Sequence, residues 1–182
     1  HLALELVGVG VGDDVLVSSL TFAGSVFPIR YVGANPVFID SERASWNLDP
    51  ALTIEAIDTL TAEGRKPKWL YSITEHQNPT GPSLPEDRKR KILDICHRYN
   101  LPVVEDECYV DLRFEGEDVT SFHSMDDTGQ VIYVGSFSKI VAPGMRLGYL
   151  VLPHTLVPVF RQAKRLTDRH APLWEQRALA AL

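Results

Sequence analysis

The sequence predicts an α/β protein built in three layers, α/β/α, around a mostly parallel sheet. Two observations predict it. Short runs rich in Val, Ile and Leu alternate with longer segments of helical period along the whole chain. Several of those runs are continuously apolar rather than alternating, as expected of strands covered on both faces. In such sheets ligands sit outside the carboxyl ends of the strands, so candidate chemistry is sought there.

The elements follow in order. Leu2, Leu4, Leu6 and Val7 open an apolar helical pattern, with no capping residue ahead of His1. VLVSS (15–19) reads as a strand, residues 22–32 as a helix and PVFID (36–40) as a second strand. Between Asn47 and Ala62, Leu48, Leu52, Ile57 and Leu60 recur at near-helical spacing, and Asp49-Pro50 is a start signal. KWLYSI (68–73) is the third strand; Pro85 then opens a charged helix to about Tyr99, with Ile92, Leu93 and Ile95 facing inward. LPVVEDE (101–107), VIYVGS (131–136) and RLGYLVL (146–152) are three further strands, and helices are expected over 155–167 and 172–182. The polar stretch from Glu115 to Gly129 reads as a surface excursion.

Composition narrows the function classes. Hydrophobic residues make up 45% and charged residues 23% of the 182, which is ordinary for a globular domain. Asp and Glu outnumber Lys and Arg by 24 to 18, a net charge of −6, which argues against a surface that coats nucleic acid. No apolar stretch is long enough for a membrane span. Cys96 and Cys108 form neither a disulfide framework nor a CxxC pair, so both are expected reduced in a cytoplasmic setting. The six histidines are scattered, and a metal set from Asp106, Glu107, Cys108 and Asp111 has little support. GVGVG (8–12) follows a helix rather than a strand, which makes it a poor dinucleotide fingerprint. The chain starts inside an apolar helical pattern and stops within another, EQRALAAL, so both ends read as cut from a longer protein.

Three strand ends carry unusual groups. Asn78 follows the third strand; Asp106 and Tyr109 end the fourth; Ser136, Ser138 and Lys139 end the fifth, with Arg146 seven residues beyond the lysine. Together they suit pyridoxal 5′-phosphate (PLP). An ε-amine forms a Schiff base with the aldehyde. A buried carboxylate keeps the pyridine nitrogen protonated, so that the ring withdraws electrons. An amide and a phenol donate to the ring oxygen, and hydroxyls with an arginine fork receive the phosphate. Each residue also has a plainer reading. Asn78 suits a turn, Asp106 a helix cap, Ser136 and Ser138 helix caps, and Tyr109 simple packing.

NPTG, VVEDECY and SFSKIVAPGMRLGY, in that order, resemble the fold-type-I PLP-dependent aminotransferases of class I/II over residues 66–182. HQNPTG and the run over 105–116 are similar to the branch of 2-aminoadipate aminotransferases and MocR-like regulators. The resemblance implies an imine on Lys139, a pyridinium partner at Asp106, ring-oxygen donors at Asn78 and Tyr109, and phosphate contacts at Ser136, Ser138 and Arg146. Residues 1–62, with SLTFAGS and WNLDP, resemble the DegT-type sugar aminotransferases instead, and there Phe22 matches the aromatic that stacks on the pyridine.

On that resemblance, residues 1–182 are the PLP-binding large domain of an aminotransferase. A phosphate cup ahead of His1 and the small C-terminal domain are expected outside this sequence. The activity implied is transfer of an amino group between an amino acid and a 2-oxo acid in a homodimer. A MocR-like transcription regulator sensing PLP, with nucleic acid as partner only through an upstream DNA-binding domain, and a DegT-like sugar aminotransferase stay open. Arg113 and Arg169 match no substrate-carboxylate role, and His76, next to Gln77-Asn78, reads as an exposed loop residue ahead of a pocket-lining one.

Overall fold

A computed structural model describes residues 1–116 and 120–182. Six strands form one sheet: β1 (Asp14–Ser18), β2 (Asn35–Ile39), β3 (Pro67–Ser72), β4 (Val103–Glu107), β5 (Val131–Ser136) and β6 (Gly148–Val151). Their spatial order is β2-β1-β3-β4-β5-β6. Neighbours pair in parallel throughout, except that β6 runs antiparallel to β5. The helices are α1 (Leu2–Leu6), α2 (Ala23–Tyr31), α3 (Pro50–Ala62), α4 (Glu86–Tyr99), α5 (Phe122–Met125), α6 (Val157–Thr167) and α7 (Leu173–Leu179).

Strand alternation divides the apolar side chains between two cores. Leu16, Leu70, Val103 and Val131 face one way and meet Ile57 and Leu60 of α3 and Ile92, Leu93 and Cys96 of α4. Val15, Val17, Trp69, Val104 and Ile132 face the other and meet Leu4 of α1, Ile29 of α2 and Phe160 of α6. The sheet is therefore apolar on both sides, as its continuous Val/Ile/Leu runs predict. The start of α3 falls where Asp49-Pro50 places it: Asp49 caps the helix by accepting the Ala51 N–H at 2.7 Å. α4 closes on Asn100 in the left-handed conformation, φ 49°.

The 115–129 stretch departs from expectation. Residues 117–119 of it lie outside the described residues, but Phe122 is fully buried in the α3/α4 core. The reason is Glu105 of β4, whose carboxylate accepts the Phe122 N–H at 2.7 Å and the His123 N–H at 3.0 Å, pinning the first turn of α5 against the sheet.

Candidate active site

Three neighbouring strands deliver their ends to one place. A cavity of about 410 Å³ opens there, lined by Phe22, Gly24, Ser25, Tyr71, Ile73, Asn78, Asp106, Cys108, Tyr109 and Lys139. Five of the eight residues expected from the sequence are among them. Lys139 follows β5, and its Nζ stands 5.7 Å from the centre of the Tyr109 ring. The Asn78 Nδ2 donates to the Tyr109 hydroxyl at 3.4 Å, joining the β3 and β4 ends. Phe22, the residue before α2, is 58% exposed and offers a ring face to the cavity.

Asp106 and Tyr71 share the α1/α2/α6 face of the sheet. The Tyr71 hydroxyl donates to Asp106 Oδ2 at 2.5 Å. Burial pushes the Asp106 carboxyl above its ordinary range, opposed by hydrogen bonds from the Tyr71 hydroxyl and from the Cys108 thiol and N–H. Burial, and then the charge of Asp106, likewise lift the Cys108 thiol to about 12, so it is no thiolate nucleophile. Tyr71, Ser25 and Cys108 were not among the residues expected. Strand period two was the available signal, since Tyr71 pairs in register with Val104 and Cys108 lies two residues after Asp106.

The remaining expected residues are not in the cavity lining. Ser136 Oγ accepts the Ser138 N–H at 3.2 Å, and the exposed Arg146 donates from Nη1 to the Pro143 carbonyl at 3.3 Å. Ser136 ends β5, and Ser138 and Arg146 lie on the connection after it, which carries Lys139. His76 is not the exposed loop residue expected: it is half-buried, and its Nε2 is shut from solvent with no partner among the described residues. Arg113 lies elsewhere, donating to Glu75 Oε2 at 2.6 Å, and Arg169 lines a groove between β6 and α6.

A buried charged cluster under the opposite face of β4 escaped the sequence reading. Lys89, fully buried on α4, donates from Nζ to Glu75 Oε1 at 2.6 Å and to the Thr120 carbonyl at 3.2 Å. The Thr74 hydroxyl reaches both Glu105 and Glu107. Burial, with Glu105 close by, pushes the Glu107 carboxyl up to about 8. Charged residues on an amphipathic helix are normally read as solvated, which hid Lys89.

The sequence profile described as Aminotransferase class I and II matches residues 2–181. The chain belongs to that family. The match runs through the first 62 residues too, so the likeness of that stretch to DegT-type enzymes calls for no second family. Aromatic-amino-acid aminotransferase 1 of Thermococcus litoralis is 34% identical over 169 residues, covering 91% of this chain and 40% of its own. Among solved structures, Pyrococcus horikoshii kynurenine aminotransferase in complex with PMP superposes with a TM-score of 0.89 at 30% identity, over 96% of this chain and 44% of that one. LysN, the α-aminoadipate aminotransferase of Thermus thermophilus, complexed with N-(5′-phosphopyridoxyl)-L-leucine, gives 0.85 at 28%, over 98% and 46%. The chain thus spans less than half the length of these relatives. Membership of the family, with phosphopyridoxyl ligands in its solved members, supports pyridoxal phosphate as the cofactor. The donor set fits it: an amine, a carboxylate, an amide, a phenol and an aromatic face converge on one cavity of ligand size.

Proposed function

We propose that the protein is a PLP-dependent aminotransferase moving an amino group between an amino acid and a 2-oxo acid, and that this chain is its cofactor-binding large domain. One observation carries the reading: Lys139 and Asp106, from neighbouring strands, line the same cavity. The bound cofactor would supply an electron-poor ring that stabilises the carbanion left when the α-proton departs.

The chain's own residues divide the remaining work. Lys139 would hold the aldehyde through Nζ, and that same amine is the group placed to take and return the substrate's α-proton. Asp106 would hold the proton on the ring nitrogen. Asn78 Nδ2 and the Tyr109 hydroxyl, already paired, are donors for the ring oxygen. Phe22 covers one ring face and keeps water from it. Ser136, Ser138 and Arg146 are assigned to the phosphate, supported by their place at the end of β5 and on the connection after it, which carries Lys139.

A homodimer is part of the proposal. Phe27 and Tyr31, exposed on α2, the helix that follows Phe22, support a partner subunit against that helix. No helix among the described residues is long and apolar enough to cross a membrane, and Cys96 and Cys108 are unpaired, which supports a cytoplasmic enzyme. The sugar-aminotransferase reading has less support because the class I and II profile spans residues 2–181, and the regulator reading has less because the Thermococcus relative that matches 91% of the chain is an aminotransferase.

The test is Lys139→Ala. The variant should lose the visible absorbance that PLP acquires on binding the wild-type protein, and amino transfer should fall by roughly 10²- to 10⁴-fold or more. Retention of both would overturn the proposal.

A further inference from the structure

We propose that Tyr71 is a positioning residue for Asp106: its hydroxyl, supported from behind by Ser25 and Thr21, fixes the carboxylate so that one acceptor site faces the cavity for a ring nitrogen. This rests on the function proposed above and extends it to residues outside that assignment.

Proton counting gives the chain its direction. Each hydroxyl has one proton to give. Tyr71 gives its proton to Asp106 Oδ2, at 2.5 Å. Its oxygen is then free to accept, and the neighbour on that side is the buried Ser25 hydroxyl. Ser25 pairs in turn with Thr21, whose Oγ1 lies 3.1 Å from its hydroxyl oxygen. With Tyr71 donating to Asp106, the order that fits is Thr21 to Ser25, with Ser25 turned toward Tyr71. It runs from the loop before Phe22, through the first turn of α2 and across β3, to β4. Each bond polarises the next, and all point at an acceptor that must be anionic for the chain to be worth most.

The acceptor count at Asp106 agrees. An ionised carboxylate offers about four acceptor positions. The Tyr71 hydroxyl occupies one of them and the Cys108 thiol and N–H lie close enough to favour the charge, which still leaves a position for a ring nitrogen. Burial favours the neutral acid, and the donors work against it. Tyr71 itself keeps its proton, since burial and the adjacent Asp106 charge raise its own titration well above the ordinary value.

The test compares two ligands on the same protein: PLP, and its 1-deaza analogue with carbon in place of the ring nitrogen. Tyr71→Phe keeps the ring and removes the hydroxyl. It should weaken PLP binding about tenfold or more, the size expected for a hydrogen bond to a charged group. Binding of the analogue should change less than about twofold, because the analogue has no ring nitrogen for Asp106 to meet. Ser25→Ala, a milder change, should show the same ligand selectivity with a smaller loss, and it carries the test should Tyr71→Phe fold poorly. In an Asp106→Ala background the Tyr71→Phe penalty should vanish. Equal losses for both ligands, or none for either, would overturn the positioning role and make Tyr71 a packing residue. Should Asp106→Ala itself weaken both ligands alike, the assignment of Asp106 to the ring nitrogen fails, and the role of Tyr71 with it.

Discussion

At the scale of single residues, β4 separates two kinds of chemistry by side-chain alternation alone. Asp106 points to the cavity side, where Tyr71 and Cys108 supply protons to its carboxylate. Glu105 and Glu107 point to the other side, where Thr74, Lys89 and Glu75 meet them. Glu107 Oε2 has no partner among the described residues, and burial pushes the carboxyl up to about 8 from an ordinary 4.5. Between those values the unfolded chain has released a proton that the folded chain keeps, so stability falls as pH rises through the interval. Glu107→Gln removes that titration. The variant's thermal midpoint should gain on the wild type by a few degrees between pH 5 and pH 8, at about 2–4 °C per kcal/mol for a domain of this size. Parallel pH dependences would show that Glu107 is ionised in the fold. Lys89 gives a harsher case. Lys89→Met leaves Glu75 buried with Arg113 as its remaining partner, and chemical denaturation should report a loss of about 3–5 kcal/mol. Asp106 and Lys139 were legible in the sequence because each stands at a strand end beside a motif of known spacing. Tyr71, Lys89 and Glu107 were not, because their roles exist only across strands or between a helix and the sheet.

At the scale of elements, legibility follows the length of the periodic pattern. α3 and α4 repeat their apolar spacing over 13 and 14 residues and fall within a residue or so of expectation once the Asp49 cap is counted. α5 has four residues and no pattern of its own. It exists because Glu105 receives two of its N–H groups, Ser121 Oγ accepts the Ser124 N–H at 3.0 Å and Phe122 finds a ready core. Phe122→Ala should therefore cost about 3–5 kcal/mol in denaturant unfolding, as for any large buried aromatic, although its neighbours in sequence are polar. Asp126 does the same for the approach to β5. Burial alone would raise its carboxyl, yet the Thr128 hydroxyl and the N–H groups of Thr128, Val131 and Gln130 hold it at about 2. A depressed carboxylate stabilises the fold above its unfolded value of 3.8, and that contribution fades as pH drops toward 2. Asp126→Asn keeps the shape and loses the charge. It should be less stable than wild type at pH 7 and converge with it near pH 2, measured by urea midpoints at each pH.

At the scale of the whole molecule, both cores rest on the same strands. Leu70 and Trp69 are adjacent in β3, and Val131 and Ile132 in β5, yet each pair sends one side chain to either face. Neither helical layer has an apolar surface to cover once the sheet comes apart, and the sheet has no dry face once either layer leaves. The two cores should consequently unfold as one unit. Leu93→Ala opens space in the α3/α4 core and Ile132→Ala in the α1/α2/α6 core, and each should cost about 2–5 kcal/mol. Because the lesions share a single transition, far-ultraviolet circular dichroism and the fluorescence of buried Trp69 should report the same lowered midpoint in both variants. A variant in which Trp69 fluorescence changes while helicity persists would show that the layers melt separately. In that case the cavity, whose lining comes from α2 on one side and from the β3, β4 and β5 ends on the other, would lose its Phe22 wall before it lost Lys139 and Asp106.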